Sequence, residues 1–463
     1  MHAVQWVWVK RTCVGMFKRS IGVMLFCASG ACGQTTVIWD TALGTPGFNA
    51  PVRKFWIDGD NALHALGEFS HSGNTRTGAV ARRQHGAWQP LGSPLDATWV
   101  ESLAIFDSGD GPQLHVAGGG ISQTGEQFGL EPVVRLVGNQ WRATQPRHDA
   151  NWSSVIATYR VQGVERLFVC GPMEAQPEFL YMSAWLPAAA GPARWRVIGG
   201  EPFSTAPEAM LVTDLGDGEK LYFGGGAGEV ALVGSFDGQT WRRVGGDVDF
   251  FVRALAVLPT SQGNQLLVGG LMSKANWFGP GPRVSVSNIA LWTGTTWDAL
   301  GGGVPFEVHA IAAMQTPAGV RVFAGGSQFV SSTERPRLAM WNGERWTAIL
   351  GLAGTRVETL AVYDADGAGP LPQQLIIGGD LTTLSGVPIN NIVALSLPRV
   401  CDAIDFNRNG VFPEDEDIIA FLQTLAGAAC GGCGDIDFNN NGVFPEEQDL
   451  LDFFNVLAGG PCS

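Results

Sequence analysis

The residues best suited to chemistry lie near the C-terminus. D-x-N-x-N-G occurs at Asp405, Asn407, Asn409 and Gly410, and again 32 residues later at Asp437, Asn439, Asn441 and Gly442. Oxygen-bearing side chains at positions 1, 3 and 5, glycine at 6 for a sharp turn and a backbone carbonyl at 7 (Val411, Val443) form the front half of a calcium loop. The closing carboxylate is open from sequence. Position 12 is Glu416 in one copy and Gln448 in the other, whereas position 13 is aspartate in both, Asp417 and Asp449. A one-residue expansion by the Phe-Pro pair lets Asp417 and Asp449 close two calcium sites. Glu414 and Glu446 also match between the copies, and suit the N-terminus of a following helix. With two carboxylates and two amides per loop, the expected affinity is weak, roughly 0.1–1 mM.

Charge supports a cation here. Residues 401–463 hold twelve acidic residues and one basic residue, Arg408, and so carry -11 of the formal net charge of -14. The remainder is nearly neutral and has no basic patch to neutralise phosphates, which excludes nucleic acid as a partner. Each loop precedes apolar residues at helical spacing: Ile418, Phe421, Leu422 and Leu425, then Leu450, Phe453, Phe454 and Leu457. These two helices are expected to pack on each other, because so small a module has no other core.

Duplicated calcium loop plus single helix resembles the type I dockerin, and more closely the Cys-bounded C-terminal repeats of secreted planctomycete proteins. The resemblance implies a docking module over residues 399–463, with a cohesin-like or envelope partner. The extra loop residue, Pro413 and Pro445, and the framing cysteines depart from dockerin. Cys401, Cys430, Cys433 and Cys462 read as disulfides. Zinc at Cys430–Cys433 lacks a second C-x-x-C or a His pair nearby. Pairing within each copy, Cys401–Cys430 and Cys433–Cys462, is the favoured arrangement, and Cys401–Cys462 with Cys430–Cys433 is also symmetric.

An oxidising compartment agrees with the other end of the chain. Residues 1–33 include MFKRSIGVMLFCASGACG from Met16, with Lys18 and Arg19, an apolar core Ile21–Ala28 and small residues before Gly33. This has the form of a secretory signal peptide, better shaped when read from Met16 than from Met1, and its apolar run is too short to span a bilayer. A secreted, cell-surface or periplasmic protein without a transmembrane segment in the mature chain is expected.

The segment between, 35–398, positions whatever else the protein does. SNIALWTGTTWDALGGG at Ser287 returns as RLAMWNGERWTAILG at Arg337, LVGSFDGQTWRRVGG at Leu232 and VVRLVGNQWRA at Val133. Four short strands recur about every fifty residues. The first runs are Val52–Asp58, Val100–Asp107, Ser154–Val161, Glu208–Leu215, Val252–Pro259, Val308–Gln315 and Val357–Asp364. The second runs end in Gly-Gly, as in QLLVGG at Gln265 and RVFAGG at Arg321. The fourth begin at Trp39, Trp88, Trp141, Trp195, Trp241, Trp297 and Trp346. Short β strands at this period are the signature of β-propeller blades. An all-β, seven-bladed propeller is expected. The N-terminal strand at Trp39 closes the last sheet and removes an open edge. A Cβ at the double glycine would clash, and the tryptophans fill the wedges between blades. The pattern resembles kelch-type propellers without their third-strand Tyr, and uncharacterised secreted bacterial propellers.

Catalytic motifs are scarce in these blades. The seven histidines form no local metal pair, Cys170 sits in an apolar strand, and Ser235–Trp241 resembles a sialidase Asp-box one residue short. No G-x-S-x-G occurs, and the Gly-rich stretches precede no helical pattern. Asp58, Asp60, Asp107, Asp110, Asp214, Asp217, Asp364 and Asp366 follow the first strands and belong to one rim, as turn residues. The inserts Gly119–Leu130 and Leu271–Val286 lie between second and third strands, where a protein or glycan ligand would be met at a propeller face. The leading expectation is an exported binding or structural propeller with a calcium-stabilised attachment module. The alternative is a secreted glycosidase or lyase, which requires carboxyls converging in a cleft.

Overall fold

The computed structural model describes residues 37–122, 131–144, 153, 155–173, 176–186, 194–197, 207–227, 230–316, 319–328, 336–367, 372–398, 401–440, 444–458 and 462. The expected signal segment and part of the first insert lie outside them.

The repeated runs become antiparallel sheets in a β-propeller-like arrangement. Five are four-stranded, and they begin at Val52–Ile57, Trp99–Asp107, Val155–Val161, Pro207–Asp214 and Phe251–Thr260. In each, the strand order follows the chain order. The remaining strands form one nine-stranded sheet rather than two separate blades. Within it, Glu307–Met314, Arg321–Ser327, Leu338–Trp341 and Trp346–Ile349 pair in succession, as do Leu352–Tyr363, Gln374–Leu384, Ile392–Ser396 and Ile38–Asp40. The two ladders merge because the long Leu352–Tyr363 strand reaches back far enough for Arg356 to pair with Ser327. Trp39 lies opposite Leu395, so the N-terminal strand covers the edge left by the C-terminal one.

The first strands stand side by side, and Leu352–Tyr363 lies against Val52–Ile57, closing the ring. The double glycines make this closeness possible. A Cβ on Gly269 would lie 2.6 Å from Val308 Cγ1, and one on Gly325 2.4 Å from Val357 Cγ1, both on the following ladder. The second glycine of each pair meets its own first strand. A Cβ on Gly270 would lie 1.9 Å from Phe251 O, and one on Gly326 1.8 Å from Glu307 O. One glycine therefore admits the neighbour's valine, and the other admits a backbone carbonyl.

The seven repeat tryptophans all lie on outermost strands. Trp88 is buried with Leu43 and Phe48 at the junction with Ile376 and Ile392. Trp88, Trp297 and Trp346 donate their indole N–H to Leu43 O, Gly245 O and Leu300 O, at the exit of the preceding fourth strand. Each ring thus fills a wedge and ties two blades together.

The tail folds as α1 (Asp415–Leu425) and α2 (Glu447–Leu457), with acidic first turns that complement the helix dipoles. Phe421 and Phe453 stack at 4.2 Å, and the loop residues Phe406 and Phe438 complete the core. Leu422 and Phe454, expected inside, are exposed, because the loop phenylalanines occupy the space beside the stack. Asp402 N donates to Phe438 O and Gly434 N to Phe406 O, a reciprocal exchange between the copies. This packing brings the start of one copy to the end of the other. The disulfides are accordingly Cys401–Cys462 and Cys430–Cys433, which corrects the favoured pairing within copies.

Gly326→Ala should destabilise the protein by about 3 kcal/mol or prevent folding, because a backbone carbonyl cannot yield without disrupting the ladder. Gly59→Ala, at a position with open space, should stay within about 0.5 kcal/mol. Denaturant melts of the two variants check this.

Candidate functional site

Six first strands share one irregularity. An extra residue is inserted opposite the second-strand glycine: Arg53, Glu101, Glu208, Arg253, His309 and Glu358. The third sheet's counterpart, Ser154, lies outside the described residues. The preceding Val52, Val100, Val252, Val308 and Val357 are fully buried, anchoring the strand while the bulge turns the next side chain inward. All six bulge residues line one cavity of about 970 Å³ bounded by the first strands.

Here the charges are paired. Arg53 Nη1 lies 3.2 Å from Glu358 and 3.9 Å from Glu101, and its Nε donates to Glu68 at 2.9 Å. Arg253 joins Glu208 and Glu307. His309 lies 3.7 Å from Glu307 and 3.4 Å from Glu358, while Arg356 Nε contacts Glu358 at 2.9 Å. Burial pushes the Glu101 carboxyl up to about 7; Arg53 opposes this, and Glu358, Glu208 and Glu68 add to it. Burial works against ionisation of Glu307 too, but its bonds to His309 and Arg253 hold it at about 2. His309 is raised: burial alone would lower it, and Glu307 and Glu358 more than offset that.

Sequence reasoning missed this ring, although its signal is visible as valine followed by a charged residue at Val52, Val100, Val252, Val308 and Val357. The aspartates singled out instead are turn residues. Asp58, Asp107 and Asp214 each accept two backbone N–H bonds within the hairpin between first and second strands. Those hairpins sit at the opposite ends of the first strands from the bulges. The Asp-box-like stretch is also a turn, Asp237 Oδ1 accepting from Gln239 N and Thr240 N. His64 and His115 are buried and bonded to Asp58 and Gln113 O, and Cys170 is buried with its thiol pKa pushed up by burial. The Leu271–Val286 insert holds a short hairpin, Lys274–Ala275 with Val284–Ser285, and carries Arg283 3.8 Å over the Trp277 ring.

In the tail, the first loop gathers its predicted residues. Asp405 accepts from Asn409 N and Gly410 N, Asn407 Oδ1 from Asn409 N, and Asn409 Oδ1 from Val411 N. Asp417 is fully buried. Its Oδ1 accepts from Asn407 N at 3.3 Å, while its Oδ2 has no hydrogen-bond partner among the described residues. Glu416 points to solvent. Glu414 stands at the N-cap position of α1 without a side-chain cap bond, and its carboxylate instead accepts from the Asn407 and Asn409 side chains, a role that the match between copies only hinted at. In the second loop Asp437, Asn439 and Asp449 are buried, and Asp449 bonds Asn439 N and Glu446 N. Asn441 and Val443 lie outside the described residues.

No known protein family matches the chain, and no curated protein does. Among solved structures, it is similar to BBS1N from a complex with ARL6DN, at 12% identity and a TM-score of 0.39, covering 76% of this chain and 93% of that one. It is also similar to an extracellular domain assigned to the hybrid two component system BT4673 from B. thetaiotaomicron. There the identity is 12% and the TM-score 0.33, covering 78% of this chain and 51% of that one. Likenesses this distant carry no argument about activity. Among the described residues, no helix is long and apolar enough to cross a membrane.

Glu101 binds its proton more tightly in the folded protein than in the unfolded chain. Its contribution therefore makes stability fall as pH rises from about 4.5 to about 7. Relative to wild type, Glu101→Gln should gain melting temperature between about pH 5 and about pH 8. A constant or falling difference across that range would contradict the shift.

Proposed function

We propose that this chain is an exported, non-enzymatic binding propeller, kelch-like and seven-bladed, with a calcium-stabilised C-terminal docking or attachment module. The nine-stranded sheet supplies the sixth and seventh blades, each of its ladders containing a first strand on the channel. The observation that carries the reading is Asp417 Oδ2, buried without a hydrogen-bond partner among the described residues on a carboxylate whose other oxygen accepts from Asn407 N in the loop. A buried carboxylate oxygen without a donor is costly unless a cation meets it. Asp405, Asn407, Asn409, the Val411 carbonyl and Asp417 would hold one calcium ion, with Glu414 in reach of the same loop. Asp437, Asn439, Asn441, the Val443 carbonyl and Asp449 would hold the second. Calcium would supply positive charge that fixes both loops against the shared phenylalanine core. Weak sites of this kind fill outside the cytoplasm, consistent with the secretory leader.

The binding assignment for the propeller rests on the channel, where every bulge carboxylate already faces a cation. A protein or glycan ligand would be taken at the mouth ringed by the bulges and the long inserts. One observation favours the glycosidase alternative: Glu101 near 7 and an ionised Glu358 share Arg53. That guanidinium, however, occupies the position between the two carboxyls.

Calorimetry of the full chain should show a transition that moves upward as calcium rises from zero to about 10 mM. The Asp417→Asn, Asp449→Asn double variant, which keeps the hydrogen-bonding shape and loses the charge, should abolish that movement. An immobile wild-type transition, or an equally responsive variant, contradicts calcium stabilisation.

A further inference from the structure

The Leu271–Val286 insert carries two cations, Lys274 and Arg283, and no acidic residue, in a chain of formal net charge -14. Leu271 pairs with Phe251, two positions before the Arg253 bulge, so the insert leaves the sheet at the bulge end of the channel. In its hairpin, Ala275 and Val284 pack into the apolar core, and strand alternation leaves Lys274, Ser285 and Arg283 on the outer face. The Arg283 guanidinium lies 3.8 Å over the Trp277 ring, and among the described residues it has neither an ion pair nor a side-chain hydrogen bond. Lys274 Nζ donates to Ser285 Oγ at 2.8 Å and has no ion pair among them either. Asp249, the carboxylate that reaches this hairpin, accepts instead from Ser273 N, Ser273 Oγ and Lys274 N. Phe278, next in the chain to Trp277, is 61% exposed, so aromatic surface stands open beside the cations. The whole face is held in place. Trp277 N donates to Asp247 O and Phe278 N to Gly246 O at the exit of the preceding blade, and Asn276 Nδ2 bridges Pro280 O and Pro282 O across the turn.

We propose that this insert is a binding platform for an acidic glycan, with Arg283 and Lys274 taking a uronate carboxylate and Phe278 the face of a sugar ring. The assignment deepens the binding reading of the propeller and rests on it. A guanidinium laid flat on an indole keeps its N–H donors at its edge, as a fork that matches the two oxygens of a carboxylate. The stacking on Trp277 fixes that fork before a ligand arrives, so less side-chain freedom is lost on binding. On the same face, the Lys274 ammonium adds a second positive charge and has donors beyond the one given to Ser285. The negative face of the exposed Phe278 ring attracts the C–H edge of a sugar. A neutral glycan would leave both cations without a partner, and an inorganic anion would leave the aromatic surface unused. The combination therefore selects an acidic sugar over either.

The test is calorimetric titration of the full-length protein with trigalacturonate, with maltotriose and inorganic sulfate as comparison probes, in buffer without calcium. Trigalacturonate should bind at least roughly tenfold more tightly than either probe, and more weakly as salt rises from about 50 to about 500 mM. Arg283→Gln should lose that preference at an unchanged melting temperature, and Arg283→Lys, which keeps the charge but not the fork, should retain only part of it. Trp277→Ala leaves both charges in place and should still weaken trigalacturonate binding; an unchanged affinity would contradict the stacked fork. Trigalacturonate binding that survives Arg283→Gln, or equal binding of maltotriose, overturns the platform and leaves a binding propeller. Equal binding of sulfate reduces the face to an anion contact and overturns it too. No binding at about 10 mM also overturns it, and self-association abolished by Arg283→Gln would then give the face to the acidic tail of a second copy.

Discussion

The close approach of two backbones at the channel underlies the propeller. Where each second strand passes the start of its first strand, a glycine lets the bulged chain come within a distance that a Cβ would forbid. Gly326 against Glu307 O and Gly270 against Phe251 O are the tightest examples. The bulge depends on that room, and the orientation of Arg253, His309 and Glu358 depends on the bulge. A substitution at the glycine would therefore reach the channel chemistry without touching a charged residue. The same glycine pairs seat the valine of the next ladder, so blade spacing and channel lining are set by one device.

The charges that result form a connected chain, from Glu101 through Arg53, Glu358, His309, Glu307 and Arg253 to Glu208, not a set of isolated groups. Arg53 and Arg253 each draw two or more carboxylates, and His309 links Glu307 to Glu358. Such a network leaves its charged groups largely satisfied by one another.

Much of this architecture is legible in the chain because its signals repeat. Trp88, Trp297 and Trp346 mark fourth strands, and Trp39 marks the strand that closes against Leu395. Period and residue type survive in each copy, so the strands could be placed before their partners were known. The charge ring was harder to see, because a β-bulge changes register without changing composition: Arg53 or Glu358 reads as an ordinary strand residue until its partner glycine is identified. The tail shows a similar limit. Helical spacing placed Phe421 and Phe453 inside correctly, but could not say that Phe406 and Phe438 would displace Leu422 and Phe454 from the core. Cysteine positions alone left the pairing open, and only the reciprocal packing of the two copies separates Cys401–Cys462 from the arrangement within copies.

The tail and the propeller solve different physical problems. The propeller closes a ring through contacts between its first strands and buries apolar clusters between its sheets. The tail relies on four phenylalanines, two disulfides and loops with carboxylate oxygens turned inward, and a cation would complete it. The most direct measurement of the central claim is equilibrium dialysis of the full chain against radiolabelled calcium. Two ions bound per chain, one for each copy of the loop, is the result this account predicts. No calcium bound at about 10 mM would contradict it.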